Sequence, residues 1–165
     1  MEGHDGHVTD PTRISNRVVL DDTSKAIIRL LQQDGRAPYA MLAREVGLSE
    51  AAVRQRVQRL LESELLQIVA VTDPVQVGFE RQALIGVSTT GDSEHIAHAL
   101  SEIEAVSYVV TTAGRYDLLV EVVCEDDDQL LELLQRRIRT VDGVVGTETF
   151  TYLRLNKQRY DWGTR

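Results

Sequence analysis

The stretch from residue 42 to residue 60, LAREVGLSEAAVRQRVQRL, constrains the fold more than any other part of the chain. Tyr39 and the apolar residues up to Val46 recur at helical spacing, and Gly47 follows as the residue that most readily takes the left-handed conformation that ends a helix. Ser49 then offers an N-cap oxygen, and Glu50 places a carboxylate in a first turn, where the helix dipole favours it. These residues predict two helices joined by a glycine turn, which is a helix-turn-helix.

The second helix of this motif has an apolar side and a polar side. Val53, Val57 and Leu60 fall together and are predicted to pack inward. Arginine pairs bidentately with guanine, glutamine pairs with adenine, and a small residue permits close approach to a base. The residues predicted to contact double-stranded DNA are Ser49, Ala51, Arg54, Gln55, Arg56, Gln58 and Arg59. Two alternatives are that this face is simply solvated and that the motif contacts only protein, because such helix pairs also occur in domains that bind no DNA.

The net charge of −8 does not exclude nucleic acid as a partner, because most of the net negative charge lies in the second half. Residues 1–78 carry 9 Lys and Arg against 11 Asp and Glu, and residues 79–165 carry 9 against 15. Residues 49–61 contain three arginines and one glutamate, and DNA binding depends on such local charge. The polar N-terminus predicts neither a signal peptide nor a membrane span, and therefore a cytoplasmic protein. Cys124 lies in an alternating apolar run, which predicts a buried thiol.

Five segments are expected along the chain. They are a flexible tail over 1–17, a winged helix-turn-helix domain over 18–74, a linker over 75–81, a second domain over 82–155, and a C-terminal tail over 156–165. Asp22 or Thr23 is predicted to cap a first helix that runs to about Asp34, and Pro38 suits the first position of the next helix. The β-rich run over 68–72 is predicted to be the strand of the wing.

The second domain alternates strand and helix patterns in the order βαββαβ. Strands are expected over 82–90, 106–113, 117–124 and 144–155, with helices around 96–103 and 130–141. This order predicts an α+β ferredoxin-like sandwich, with helices on one face of an antiparallel sheet. One side of the last strand is expected to pack on another copy of the chain. The two candidate sides carry Val145, Thr147, Thr149, Thr151 and Leu153, or Glu148, Phe150 and Tyr152. No metal ion or cofactor is expected: residues 126–128 cap a helix, His4 and His7 lie in the tail, and His95 and His98 face solvent.

In their order and spacing, these motifs resemble those of the Lrp/AsnC, or feast/famine, family of bacterial and archaeal transcription regulators. The resemblance covers residues 20–155. Its markers are Leu20-Asp21-Asp22, Asp34-Gly35-Arg36, Leu42-Ala43, Val46-Gly47-Leu48-Ser49, Val53-x-x-Arg56-Val57-x-x-Leu60 and Gly114-x-x-Asp117-Leu118. The resemblance implies a DNA-binding winged helix-turn-helix and a ferredoxin-like domain that binds an effector, often an amino acid, and forms homodimers that assemble into higher oligomers such as octamers.

The resemblance also implies a location for the effector site. The Gly-x-x-Asp turn of the family lies near the effector, and this carries over onto Gly114 and Asp117. Weaker inferences add Thr112, Arg115, Tyr116, Thr149 and Thr151 to the predicted effector-binding set. Arg115 departs from the acidic residue often found there, so it can either hold an effector carboxylate or pair with Asp117. A plain hairpin turn is the structural alternative for residues 114–117.

The sequence therefore favours a DNA-binding regulator that assembles through its second domain and responds to an amino acid or related metabolite. One alternative is an enzyme, because siroheme decarboxylases resemble the same two-domain architecture. Another is an architectural DNA-binding protein that needs no ligand. The chain presents no paired carboxylates, nucleophile triad or metal-ligand cluster that would carry catalysis, which favours a protein that is not an enzyme.

Overall fold

The structure, a computed structural model, describes residues 20–165, so the predicted tail over 1–17 lies outside the described residues. The chain forms two compact units. The described part of the helix-turn-helix unit comprises residues 20–71 and 156–165, and the second unit comprises residues 72–155. Among the helices of the described residues, none is long and apolar enough to cross a membrane.

Three helices form the helix-turn-helix unit: α1 (Asp22–Gln33), α2 (Tyr39–Val46) and α3 (Glu50–Glu62). Their core contains the fully buried side chains of Ile27, Leu42, Val53 and Val57. The cap of α1 is Asp21, whose carboxylate accepts a hydrogen bond from the Ser24 N–H at 2.7 Å, so the predicted cap at Asp22 or Thr23 was one or two residues late. Pro38 is the N-cap of α2, with no side-chain cap hydrogen bond.

The predicted wing strand does not form. Between residues 20 and 80 the structure contains no strand, and Ile68, Val69 and Val71 are exposed. A strand is stable only when its N–H and C=O groups pair with a neighbouring strand, and the described helix-turn-helix unit offers none. The β-rich composition of residues 68–72 is therefore not enough to make a wing.

Residues 156–165, predicted as a tail, belong to the same unit as α1. The backbone N–H of Gly163 donates to the side-chain oxygen of Gln32 at 3.0 Å, and the guanidinium of Arg29 donates to the Thr164 hydroxyl at 2.8 Å. The C-terminal segment thus packs beside the first helix.

The second unit has the predicted βαββαβ order. Its elements are β1 (Arg81–Thr89), α4 (Ser93–Ser101), β2 (Val106–Thr111), β3 (Leu118–Cys124), α5 (Asp127–Glu132), a π-helical continuation of α5 (Leu133–Ile138) and β4 (Val144–Thr151). The strand order is β2-β3-β1-β4, and every neighbouring pair is antiparallel. The ferredoxin-like sandwich is thereby confirmed. The second, third and fourth strands are shorter than predicted.

The strand register defines the two faces of the sheet. Ala83, Ile85 and Val87 of β1 are fully buried in a core that includes residues of α4 and of the π-helical segment, so they mark the helix-covered face. The threonines at 147, 149 and 151 pair with these three residues and lie on the same face. Leu84, Gly86, Leu119, Glu121, Glu148 and Phe150 lie on the other face, which we call the open face. Glu148 and Phe150 therefore mark the side of the last strand that no helix covers.

Candidate functional site

Helix α3 is held at its start by the predicted turn. Gly47 adopts a left-handed conformation with φ of 68°, and the Ser49 hydroxyl accepts a hydrogen bond from the Ala52 N–H at 3.2 Å. Val53, Val57 and Leu60 are buried beneath the helix. Capping and burial together fix the rotation of α3 about its axis, so its opposite face is presented outward as a defined surface.

The outward face carries six of the seven residues predicted to contact DNA. Ser49, Ala51, Arg54, Gln55, Gln58 and Arg59 are exposed. Gln58 donates to the carboxylate of Glu62 at 3.0 Å, whereas Gln55 and Arg59 form no side-chain hydrogen bond or ion pair within residues 20–165. Two long polar side chains are therefore available to an external partner without first breaking a polar contact to residues 20–165.

Arg54 is held from two directions. Its Nη2 atom lies 3.0 Å from Oε1 of Glu50, one helical turn earlier. Its guanidinium carbon lies 4.9 Å from the centroid of the Tyr39 ring, at the start of α2. Tyr39 was expected in α2 and Glu50 in the first turn of α3, and neither residue was predicted to belong to the site. The i, i+4 spacing of Glu50 and Arg54 was the available signal for the ion pair.

Arg56, the seventh predicted residue, is half-buried and directed toward α1. Its Nη1 atom donates to Oδ2 of Asp21 at 2.6 Å and to the Ser24 hydroxyl at 3.2 Å. Hydrogen bonds from the Ser24 side chain and backbone, and then from Arg56, lower the pKa of Asp21 from 3.8 to about 2. Arg56 thus joins α3 to the cap of α1, and the structure does not bring it onto the outward face.

The predicted effector turn is anchored to β1 by Asp117. The backbone N–H of Thr89 donates to Oδ2 of Asp117 at 2.7 Å, and the Asp117 N–H donates to the carbonyl of Val87 at 3.0 Å. The Thr112 hydroxyl donates to the carbonyl of Tyr116 at 2.6 Å and so closes the turn. A β-carbon placed on Gly114 would meet no described atom within 4 Å, so packing within the described chain does not require glycine there.

Tyr116 lies on the open face of the sheet. Its ring covers Gly86, where an added β-carbon would be 2.5 Å from the ring, and it makes an edge contact with Phe150 at a centroid distance of 6.3 Å. Arg115 lies over the same ring, 5.4 Å from its centroid, and approaches Glu148 at 3.6 Å rather than Asp117. The Tyr116 hydroxyl is buried and has no hydrogen-bond partner among the described residues.

The predicted effector residues do not all come together in one copy of the chain. Arg115 and Tyr116 meet Glu148 and Phe150 on the open face. Thr149 and Thr151 lie on the helix-covered face, because they pair with Ile85 and Ala83. The alternation of β4 indicated two faces in the sequence, but only the pairing register shows which residues share a face with the turn.

Family models match both units of the chain. The AsnC-type helix-turn-helix domain matches residues 20–61, and the Lrp/AsnC ligand binding domain matches residues 82–162. Among curated relatives, the HTH-type transcriptional regulator FL11 of Pyrococcus horikoshii is 32% identical over 144 residues, which cover 86% of this chain and 95% of that protein.

Solved structures agree with these matches. The leucine response regulatory protein LrpA of Mycobacterium tuberculosis is 31% identical, with a TM-score of 0.76 over 84% of this chain and 96% of that one. AsnC of E. coli is 25% identical, with a TM-score of 0.74 over 86% and 97% of the two chains. The chain therefore belongs to the Lrp/AsnC family and is a DNA-binding transcriptional regulator with a ligand-binding domain.

Proposed function

We propose that this regulator binds double-stranded DNA through the outward face of α3 and assembles through the open face of its second unit. An amino acid or related metabolite at the turn around Gly114 and Asp117 then controls that assembly. The observation that carries the proposal is the presentation of exposed Gln55 and Arg59, free of internal polar contacts within residues 20–165, on a helix fixed by Ser49 and by its buried side.

The proposed DNA contacts are of two kinds. Arg54, Gln55, Gln58 and Arg59 carry the donors and acceptors that match base edges in the major groove. Ser49 and Ala51 lie at the N-terminal end of α3, which enters the groove first in helix-turn-helix proteins and allows close approach of the backbone. Arg56 supports this arrangement through its ion pair with Asp21.

The proposed assembly is a homodimer that forms higher oligomers, such as an octamer. Phe150 and Tyr108, on the uncovered side of the sheet, are 44% and 53% exposed. A second copy packed on this face would cover these apolar side chains. Two-fold symmetry would also present two recognition helices to a palindromic site.

The proposed effector chemistry follows from the charges at the turn. Oδ2 of Asp117 already accepts a hydrogen bond from the backbone N–H of Thr89. Oδ1 of Asp117 accepts none from the described residues, so this oxygen can accept one from an ammonium group. Arg115 is exposed and can exchange Glu148 for an effector carboxylate. The name of the M. tuberculosis relative refers to a leucine response, which supports an amino acid as the class of effector.

A selection experiment tests the proposal. The full chain is incubated with random genomic fragments, bound DNA is sequenced, and the enriched sites are checked by gel shift with and without each of the twenty amino acids. The proposal requires an enriched sequence and a shift altered by at least one amino acid. An enriched sequence with no amino-acid response would favour a ligand-independent architectural protein, and no enrichment combined with siroheme binding would favour the enzyme alternative.

A further inference from the structure

We propose that Glu50 and Tyr39 set the sequence selectivity of the recognition helix by positioning Arg54. This inference rests on the proposed DNA-binding face, and it adds two residues that were not among the predicted base contacts. Arg54 is the only member of that outward face, within residues 20–165, that contacts both a carboxylate and an aromatic ring.

The two restraints come from different elements. Glu50 lies in the first turn of α3, where the helix dipole favours its charge, and its Oε1 atom is 3.0 Å from Nη2 of Arg54. Tyr39 is the first residue of α2 and is partly buried against the helix-turn-helix core, which restrains its ring. Together the two contacts favour one position of the guanidinium, at the junction of α2 and α3.

A restrained guanidinium favours base contacts over backbone contacts. A bidentate contact to guanine needs two N–H donors in one plane, and an arginine that is already ordered loses less rotamer freedom when it makes that contact. A free arginine can instead reach any nearby phosphate, which carries no sequence information. The Glu50 carboxylate also repels phosphates. Glu50 is therefore expected to weaken binding to random DNA more than binding to the preferred site, and selectivity is the difference between those affinities.

The first test compares Glu50→Gln with a matched control, Glu62→Gln. Both variants remove one carboxylate from an exposed position of α3, but Glu62 contacts Gln58 and not Arg54. Binding is measured to the duplex selected by the wild type and to a scrambled duplex of the same length, over a series of salt concentrations. Glu50→Gln should lower the ratio of specific to non-specific affinity by about fivefold, the upper range for an exposed ion pair, and should weaken the base preference at one position of the site. Glu62→Gln should leave the preference at that base pair unchanged, and any effect it has should fall on the base pair contacted by Gln58.

The second test separates the ring from the hydroxyl of Tyr39. Tyr39→Phe keeps the aromatic face beneath Arg54 and should keep the wild-type base preference. Tyr39→Leu removes the aromatic face and should weaken the preference at the base pair that Glu50→Gln affects. In an Arg54→Ala background, Glu50→Gln should have no further effect on that base pair, because the positioned group is gone. Thermal unfolding of each variant shows whether the domain remains folded, and a fall in stability alone would not alter the preference at a single base pair.

The outcomes distinguish this inference from the proposed function. If the wild type selects a sequence and both Glu50→Gln and Tyr39→Leu keep its base preferences and affinity ratio within about twofold, positioning of Arg54 is wrong while the DNA-binding face stands. The same conclusion follows if Glu50→Gln has an equal effect with and without Arg54. If the wild type selects no sequence, the proposed function fails and this inference fails with it.

Discussion

The ion pair between Asp21 and Arg56 predicts how the helix-turn-helix unit responds to acid. The pKa of Asp21 is lowered from 3.8 to about 2 in the folded chain, so its carboxylate favours folding above about pH 4, and this contribution is lost as the pH falls toward 2. Asp21→Asn should therefore be less stable than the wild type at pH 7, and the difference should shrink between pH 4 and 2. Urea unfolding of both proteins at each pH checks this. A difference that grew on acidification would contradict the assigned sign.

The caps of individual helices could be predicted from the sequence, whereas partners distant in the sequence could not. Gly47 and Ser49 took their expected roles, because a left-handed helix end and an N-cap depend on residues within one turn. Arg56 was assigned to the DNA-binding face from its place in α3. Its partner, Asp21, is 35 positions away in sequence, and only the packing of α1 against α3 brings the two charges together.

Glycine 86 of β1 tests the packing of the turn on the open face. A β-carbon at this position would lie 2.5 Å from the Tyr116 ring, so the ring must move if the chain carries Gly86→Ala. We expect that overpacking to destabilise the second unit by about 1 to 3 kcal/mol. The measurement is urea unfolding, with Gly114→Ala as the control, because a β-carbon there meets no described atom within 4 Å. Equal stabilities for the two variants would show that the ring contact has no energetic importance.

The order of elements was predictable because hydrophobic periodicity changes clearly between strands and helices along residues 82–151. Two features lay beyond that signal. The segment over 68–72 has the composition of a strand but no neighbouring strand within the described helix-turn-helix unit. The π-helical segment after α5 has an apolar spacing that the sequence pattern does not distinguish from that of an α-helix. The face assignment of β4 needed the pairing of Thr147, Thr149 and Thr151 with buried β1 residues.

At the scale of the whole molecule, the open face predicts self-association. Phe150→Asp places a charge on that face and should shift the protein toward monomers, because the partner copy would have to bury an unpaired carboxylate. Leu131→Asp is the matched control, since Leu131 is also exposed, at 52%, but belongs to α5 rather than the sheet. Sedimentation velocity at micromolar concentration measures the result. Loss of assembly in the control alone would move the interface to the helices.

Effector binding and assembly should be coupled if the turn at Asp117 lies at a contact between copies. Asp117→Asn keeps an oxygen that can accept from Thr89 but removes the negative charge, so amino-acid affinity should fall about tenfold while ligand-free DNA binding is unchanged. Calorimetry with the amino acid found by the gel-shift screen measures the affinity of both proteins. Unchanged affinity would place the ammonium site elsewhere.

Affinity for the selected duplex tests whether the outward face of α3 reads DNA sequence. Gln55→Ala and Arg59→Ala each remove a side chain that makes no polar contact within residues 20–165, so neither should alter folding. Each variant should weaken binding to the selected duplex by about 5- to 100-fold and relax the base preference at one position. The control is Arg136→Ala, which removes an exposed arginine of the second unit and should bind as the wild type does. Wild-type affinity and base preference in both α3 variants would contradict the claim.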